Sequence, residues 1–331
     1  MSTRGSRRPQ RTPMSKTRIG ASVLLACVPL AIALACSARP ATAAPAQPPA
    51  GTATRLTIER LYSLPWVAGT RPESTQWSPD SRRVAFLWND EGTNFYDVWL
   101  TDVATATPVR VTSMPRPASP VSPGTDVGSL EQVARAETDR GVSELMWAPD
   151  GRHLIFNLHG ALYRVMPGHT PERLGSESAA TDIAASPGAN ALAYLSGGDL
   201  WVLRLGDATS VATRVYAPGR NDVGVESFSW SRDGKRIAII EADTSRVAVR
   251  EIPDYLADET RLVPTKRAFP GEPSAARRLG IGPVGGGTPT WIDLGTDPLD
   301  EISSISWSSD SCALLVDKSD VYIKDRRLLV V

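Results

Sequence analysis

Short stretches in which every second residue is apolar recur along the chain, and five of them follow the same kind of polar turn. An alternation of period two indicates a β-strand, and Ser, Pro, Asp and Gly are the residues that type I turns prefer. Each unit therefore predicts one β-hairpin. The units are Trp77-Ser-Pro-Asp-Ser with Arg83-Val-Ala-Phe, Trp147-Ala-Pro-Asp-Gly with His153-Leu-Ile-Phe, Ala185-Ser-Pro-Gly with Ala191-Leu-Ala-Tyr, Trp230-Ser-Arg-Asp-Gly with Arg236-Ile-Ala-Ile, and Trp307-Ser-Ser-Asp-Ser with Ala313-Leu-Leu-Val.

The spacing of these hairpins indicates a repeat protein. Their first positions are separated by 70, 38, 45 and 77 residues, so two steps are short and each of the other two contains an insertion. A single hairpin cannot bury its own apolar face and must pack against copies of itself. A period of roughly 40–45 residues with four strands per unit is typical of β-propeller blades. We therefore predict an all-β fold, a β-propeller with about five four-stranded blades.

The propeller is predicted to cover residues 56–331, after an Ala/Pro/Thr-rich linker over residues 44–55 that carries no charge up to Thr54. Two stretches interrupt the blade pattern, residues 113–140 and residues 252–276. In the last blade, Asp320-Val-Tyr-Ile-Lys is assigned to the third strand and Arg327-Leu-Leu-Val-Val to the start of a fourth. Five blades of a larger ring leave sheet faces unburied, so we expect an incomplete, truncated ring; a compact five-bladed ring is the alternative.

The first 43 residues are predicted to be a secretory signal peptide. They carry seven basic residues and no acidic one, and they contain an apolar run from Ile19 to Ala35 and the small-x-small pattern Ala41-Thr-Ala43. We expect an exported, periplasmic or secreted protein. Cleavage before a lipid-modified Cys36 is an alternative, and a membrane-spanning anchor is disfavoured by the length of the run and by Pro29.

The remainder of the chain has 29 basic and 36 acidic residues, and this mildly acidic balance gives it no electrostatic reason to bind nucleic acid. After cleavage at Ala43, Cys312 is the one remaining cysteine, and we assign it to a buried, inward-facing strand position. His153, His159 and His169 have no acidic or cysteine neighbours at ligand spacing, so we expect no metal and no other cofactor.

The second interrupting stretch resembles a known family. Trp230-Ser-Arg-Asp-Gly-Lys-Arg-Ile-Ala, Pro253-Asp-Tyr-Leu, Arg267-Ala-Phe-Pro-Gly-Glu-Pro and Arg278-Leu-Gly are similar to a blade and arm of dipeptidyl peptidase IV-type serine peptidases, of the prolyl oligopeptidase clan. The resemblance implies an N-terminal propeller that screens peptides for a C-terminal α/β-hydrolase domain carrying Ser, Asp and His. It also implies peptide as the partner, reached through that hydrolase domain, and a homodimer contact through the arm at residues 252–276.

This sequence departs from the family pattern in two respects. It contains no Gly-x-Ser-x-Gly motif, so we predict no catalytic residue and no activity for this chain alone. The family's adjacent glutamates, which bind a substrate's free amine, are replaced in the matching stretch by Asp222, with Glu226 just after it. Asp222, Glu226, Arg267 and Glu272 remain the candidates for substrate contact.

Two functional hypotheses follow. The first is the non-catalytic, substrate-gating propeller portion of an exported serine peptidase that acts in proteolysis of peptides. The second is a stand-alone periplasmic propeller that binds other proteins, like the Tol-system propeller that shares the Trp-Ser-Pro-Asp hairpin. The arm favours the first hypothesis, and the missing glutamate pair favours the second.

Overall fold

A computed structural model describes residues 56–63, 65–116, 138–176, 179–206, 210–255, 259–295 and 300–331. The predicted signal peptide and linker, with Cys27 and Cys36, lie outside the described residues, as does most of the first interrupting stretch. The described chain is almost entirely β-structure. A single helical turn, α1 (Ile58–Leu61), precedes the strands, and no described helix has the length and apolar character of a membrane span.

The strands form five blades and one two-stranded arm. Each complete blade is a four-stranded antiparallel meander in chain order, which is the pairing that the repeated hairpins predict. Blade 1 contains β1 (Glu73–Trp77), β2 (Arg83–Trp88), β3 (Asp97–Asp102) and β4 (Pro108–Arg110); blade 2 contains β5 (Val142–Trp147), β6 (Leu154–Leu158), β7 (Ala161–Val165) and β8 (Glu172–Leu174); blade 3 contains β9 (Thr181–Ala185), β10 (Ala191–Ser196), β11 (Asp199–Arg204) and β12 (Val211–Tyr216).

Blade 4 differs because the arm is inserted between its second and third strands. Its strands are β13 (Val223–Trp230), β14 (Arg236–Asp243), β17 (Ala276–Pro283) and β18 (Thr290–Ile292). The arm consists of β15 (Val249–Asp254) and β16 (Arg261–Lys266), which pair with each other and with no blade strand among the described residues. Blade 5 contains β19 (Glu301–Trp307), β20 (Leu314–Ser319) and β21 (Arg326–Val330).

The repeated Ser-x-Asp turn is built by one set of hydrogen bonds. In blade 4 the Ser231 hydroxyl donates to Asp233 Oδ1 at 2.6 Å and accepts from the Arg236 N–H at 2.9 Å, while the Lys235 N–H donates to Asp233 at 3.1 Å. These bonds lower the pKa of the Asp233 carboxyl, the Ser231 hydroxyl first among them. The same bonds recur around Asp80 and Asp310, so the repeated aspartates are turn-forming residues.

Four apolar cores lie between successive blades. Side chains of each blade alternate between the preceding and the following neighbour, so one core joins each successive pair of blades from blade 1 to blade 5. No core among the described residues joins blade 5 to blade 1. The prediction of an all-β propeller with about five blades is confirmed, and the described blades do not close into a ring.

Two local predictions are wrong. Asp320 to Lys324 is a turn, because the Asp320 carboxylate accepts from the backbone N–H groups of Lys324 and Asp325 at 2.6 and 3.0 Å, and the third strand of blade 5 is β21. Cys312 is exposed in the hairpin turn, where its backbone N–H donates to Asp310 at 3.0 Å. Both errors come from apolar residues at turn positions that imitate strand alternation.

Candidate functional site

The predicted contact residues lie at the end of the blades from which the arm leaves. The hairpin turns, of which those in blades 1, 4 and 5 contain Ser-x-Asp, connect the first and second strands of each blade at one end. The arm connects β14 to β17 at the opposite end, and Asp222 precedes β13 at that same end. Three acidic candidates and one basic candidate thus share one end of blade 4, in three separate groups of contacts.

Asp222 belongs to the first group. Its carboxylate forms an ion pair with Lys266 of β16, whose ammonium also donates to the carbonyl and the hydroxyl of Thr244 at 3.0 and 2.9 Å. The Thr244 N–H donates back to the Asp222 carbonyl at 2.8 Å. Lys266 therefore ties the C-terminal end of the arm's second strand, at the base of the arm, to the loop before blade 4.

Glu226 belongs to the second group and forms a two-pronged ion pair. Its two carboxylate oxygens accept from Nε and Nη2 of Arg277 at 2.6 and 2.8 Å. Arg277 is mostly buried, and it also lies 4.0 Å from a carboxylate oxygen of Glu301 in blade 5. The hydrogen bond to Glu226 is the first cause of a raised pKa for the Arg277 guanidinium. Glu226 is thus neutralised by a cation that the fold itself provides.

Glu272 and Arg267 form the third group, around a β-turn at the base of the arm. The Glu272 N–H donates to the Phe269 carbonyl at 3.0 Å, and Gly271 has a φ of +87°, the left-handed value that the third residue of a type II turn requires. Arg250 of β15 clamps this turn. Its guanidinium binds both Glu272 oxygens at 2.5 and 2.6 Å and lies 3.9 Å above the Phe269 ring.

Arg267 contributes its backbone to the same clamp and leaves its side chain exposed. Its carbonyl accepts from Nε of Arg250 at 3.2 Å, and its N–H donates to the Ala248 carbonyl at 2.9 Å. Within the described ranges no acidic group contacts its guanidinium. Arg267 is thus the one candidate of the four whose charge is offered to solvent without a partner among the described residues.

Sequence reasoning missed a buried carboxylate beside these groups. Glu241 of β14 is 3% exposed; it accepts a hydrogen bond from the Tyr216 hydroxyl and a 2.6 Å bond from Nε of Arg278, which stacks 3.6 Å from the Trp291 ring. Burial, followed by the bond to Glu241, raises the pKa of Tyr216 to about 12. The sequence offered one signal for this buried carboxylate, because the apolar run from Ile237 to Ile240 is followed directly by Glu241. A carboxylate buried with such a run needs a cation nearby.

The three acidic candidates of this site are paired with basic side chains of the same chain. Each candidate carboxylate already accepts hydrogen bonds from a basic side chain, and the side-chain hydrogen bonds recorded for histidines among the described residues go to Asp150 and Asp139. No group of three potential metal ligands occurs within the described ranges. The site is therefore a set of ion pairs around the base of an arm.

Sheets of four antiparallel strands stacked through shared cores define a β-propeller. In this propeller one blade also carries an inserted two-stranded arm. Residues 160–320 match the sequence model of the dipeptidyl peptidase IV N-terminal region. The segment from residue 160 to residue 320, from the third strand of blade 2 into blade 5, is therefore similar to a dipeptidyl peptidase IV N-terminal region.

One solved structure supports the fold, and two others give lower scores. The chain is similar to Porphyromonas gingivalis dipeptidyl peptidase 4, with 17% identity and a TM-score of 0.56 over 78% of this chain and 37% of that one. A putative dipeptidyl aminopeptidase IV from Bacteroides ovatus gives 14% identity and a TM-score of 0.48 over 78% and 35%. TolB from Acinetobacter baumannii gives 16% and 0.40 over 79% and 54%. The chain thus spans well under half the length of the two peptidases.

Proposed function

We propose that this chain is the substrate-gating propeller portion of an exported serine peptidase, and that it contacts peptides without cleaving them itself. The observation that carries the proposal is the match of residues 160–320 to the dipeptidyl peptidase IV N-terminal region. The arm between β14 and β17 supports it, because its base gathers the charged groups that a peptide backbone and its termini can bind.

Peptide contact is assigned to the arm end of blade 4. Arg267 offers an exposed guanidinium, which suits a peptide carbonyl or carboxylate. The three acidic candidates keep part of their side chains accessible. To accept a peptide amine, each would give up some contact with its basic partner: Asp222 with Lys266, Glu226 with Arg277, and Glu272 with Arg250. We therefore expect weak binding in which the carboxyl side of the peptide matters more than its free amine.

The test measures binding and cleavage separately. A fluorescently labelled peptide is titrated with the purified chain, and its anisotropy gives the Kd. Arg267→Ala is expected to weaken binding at least threefold, while Arg246→Ala, which removes another exposed arginine near the arm, leaves the Kd unchanged. A chromogenic dipeptide is expected to remain intact. Equal binding by both variants, or turnover by the isolated chain, would contradict the proposal.

A second candidate function is a stand-alone interaction module for other proteins. The observation that favours it is the internal pairing of all three acidic candidates, which leaves no free carboxylate pair for a substrate ammonium group among them. If the anisotropy titration detects no binding of any peptide, with a free or a blocked N-terminus, the interaction module becomes the better description.

Export is proposed from the N-terminal sequence. The basic start, the apolar run from Ile19 and the Ala41-Thr-Ala43 pattern together support cleavage after Ala43. Expression in a Gram-negative host should deliver a periplasmic protein whose first residue is Ala44. Incorporation of labelled palmitate that is lost in Cys36→Ser would instead establish the lipoprotein.

The arm is also proposed to contact a second copy of the chain, as in the homodimer that the family resemblance implies. Its support is a set of exposed apolar side chains on and next to a two-stranded element that pairs with no described blade strand, namely Val249, Tyr255, Leu262, Val263 and Phe269. Chemical cross-linking through a cysteine placed at Leu262 should join two copies. Tyr255→Ser is expected to reduce that cross-link.

A further inference from the structure

Three of the four blade interfaces repeat one contact, made by the first position of each hairpin. A tryptophan there packs against the preceding blade, and its indole N–H donates to a backbone carbonyl of that blade. The acceptor is in each case the residue just before the aligned position of the preceding hairpin. The pairs are Trp147 with Gln76 at 3.2 Å, Trp230 with Ala184 at 3.1 Å and Trp307 with Ser229 at 3.1 Å, and the three tryptophans are 8, 6 and 6% exposed.

A second position forms the other half of the same interface. The residue eight places after the first hairpin position points to the following blade, where it enters the shared core. In the first four blades it is fully covered by that neighbour. These residues are Ala85, Ile155, Ala193 and Ala238, each 0% exposed.

Blade 1 and blade 5, the first and last of the described blades, expose the two halves separately. Blade 1 presents Trp77, which is 62% exposed. Blade 5 presents Leu315, which is 42% exposed and aligned with the four covered residues. The strand register places Val330 opposite Leu315 and Leu328 opposite Asp317, so all three apolar side chains lie on one face, and Val330 and Leu328 are 74 and 63% exposed.

Blade 5 also offers the matching acceptor. Ser306 immediately precedes Trp307, as Gln76, Ala184 and Ser229 precede their aligned positions, and Ser306 is exposed. Blade 1 thus carries an indole donor with an exposed ring, and blade 5 carries the aligned carbonyl with an apolar face beside it. These are the two complementary halves of a junction that the described chain makes three times internally.

We propose that blade 5 of one copy of this chain packs against blade 1 of a second copy, with the Trp77 indole donating to the Ser306 carbonyl. The ring of Trp77 then covers Leu315 and Val330, as Trp307 covers the face of blade 4 within the chain. The two halves of the contact differ, so the association is head to tail, and two copies that use both halves form a closed pair with two junctions. This contact is independent of the proposed peptidase function.

The experiment follows the oligomeric state of the purified full chain by analytical ultracentrifugation over a concentration series. The unmodified chain is expected to associate reversibly. Trp77→Ser removes the donor half and Leu315→Asp places a charge on the acceptor half, so each variant alone should be monomeric at concentrations where the unmodified chain is a dimer. Trp77→Phe keeps an aromatic ring and loses one hydrogen bond at each of the two junctions, which should weaken association about thirtyfold.

Mixing the two variants gives the decisive result. The Trp77→Ser chain retains an intact blade 5 face and the Leu315→Asp chain retains an intact blade 1 face, so a labelled mixture should form one-to-one heterodimers through a single junction. A symmetric patch contact would not be restored by mixing. Variants that associate like the unmodified chain, or a mixture that stays monomeric, would overturn the proposal.

The control variant is Val211→Ser, which changes a 60% exposed apolar side chain on the outer strand of blade 3. Association through the blades is expected to survive it, with a dimer Kd within a factor of two of the unmodified chain. If the arm variant Tyr255→Ser alone makes the protein monomeric, the arm accounts for self-association and the blade junction is rejected. Circular dichroism melts of all variants verify that the fold is kept; should Trp77→Ser fail to fold, Trp77→Phe provides the test on blade 1.

Discussion

The aligned tryptophans provide a direct comparison of one residue type in two environments. Trp230 is buried between blades 3 and 4, whereas Trp77 in the same hairpin position is exposed. Replacing a buried tryptophan by alanine removes its apolar contacts and leaves a cavity. Trp230→Ala should therefore lower the free energy of unfolding by about 3–5 kcal/mol. Trp77→Ala should lower it by less than about 0.5 kcal/mol, as expected for a surface site.

Denaturant unfolding at a low protein concentration, where no dimer forms, measures both values. The aligned sequence predicts equal roles for the two residues, and only the position of a blade in the array distinguishes them. Similar losses for both variants would mean that Trp77 is covered in the monomer.

The Tyr216–Glu241 pair predicts a residue-specific pH dependence. The pKa of Tyr216 is raised from 10 to about 12 by burial and by its bond to Glu241, so the folded state holds this proton more tightly than the unfolded state. The free energy of unfolding should consequently fall as the pH rises from 10 to 12, because the unfolded chain releases the proton first. Glu241→Gln should lower the Tyr216 pKa without restoring its ordinary value, since burial remains.

NMR of ring-labelled tyrosine can follow Tyr216 individually through this range. Glu226→Gln is the matched control, because it removes a carboxylate of the neighbouring strand that pairs with Arg277 and should leave the Tyr216 pKa unchanged. An unchanged Tyr216 pKa in Glu241→Gln would show that the hydrogen bond to Glu241 does not raise it.

Individual residues also show where sequence reasoning succeeds and fails. The repeated aspartates were correctly assigned to turns, because the turn is local and its hydrogen bonds span five residues. Cys312 was misplaced, although it aligns with Arg82, Arg152 and Lys235 at the exposed turn position of other hairpins. The partners of Asp222, Glu226 and Glu272 could not be predicted, because each ion pair joins residues 22 to 51 positions apart in the chain.

At the scale of the elements, successive hairpin turns touch each other. Gly188 in the blade 3 turn lies so close to the blade 4 turn that a Cβ atom would be 2.8 Å from the Asp233 carbonyl oxygen. Both sides of this contact are backbone, which cannot swing aside as a side chain can. Gly188→Ala should therefore destabilise the protein by about 1–3 kcal/mol through overpacking.

Gly285→Ala is the matched control for this prediction. Gly285 lies in the connection between β17 and β18, where an added Cβ atom would meet no described atom within 4 Å and where no positive φ is needed. Thermal melts should show a lower Tm for Gly188→Ala alone. An equal Tm for the two variants would show that the turns can move apart without cost.

One arginine of the arm clamps the turn that follows the arm's second strand. Arg250 holds Glu272 and stacks on Phe269, so Arg250→Ala should free the turn after β16 while leaving the blades folded. We expect chymotrypsin to cut the arm region several-fold faster in Arg250→Ala than in the unmodified chain. Arg246→Ala removes an exposed arginine nearby, and its cleavage rate should not change. Mass spectrometry of the fragments locates the cuts.

The strands and turns could be predicted from the sequence only in part. Hairpin strands were predictable because alternation and turn residues are both local signals. The Asp320 turn was not recognised, since Val321 and Ile323 imitate a strand, yet Ile323 has a φ of +56° and is exposed. The pairing of the two arm strands could not be predicted, because no single turn motif indicates that residues 244 to 275 leave the sheet together.

For the whole molecule, the decisive property is that each blade shares a core only with its neighbours in the chain. Stability in such an array is a sum of blade terms and neighbour terms, so a defect at one interface should remain local. Trp307→Ala weakens the interface of blades 4 and 5 and should speed amide hydrogen exchange in β19 to β21. Exchange in β5 to β12 should stay within a factor of two of the unmodified chain, because blades 2 and 3 share no core with blade 5.

Trp230→Ala is the comparison for this experiment, because its interface lies between two blades that each have another neighbour. The defect should then raise exchange on both sides, in β9 to β12 and in β13, β14, β17 and β18. The linear order of cores thus predicts an asymmetric response to two identical substitutions. A uniform increase across all described blades in Trp307→Ala would show instead that the five sheets unfold as one cooperative unit.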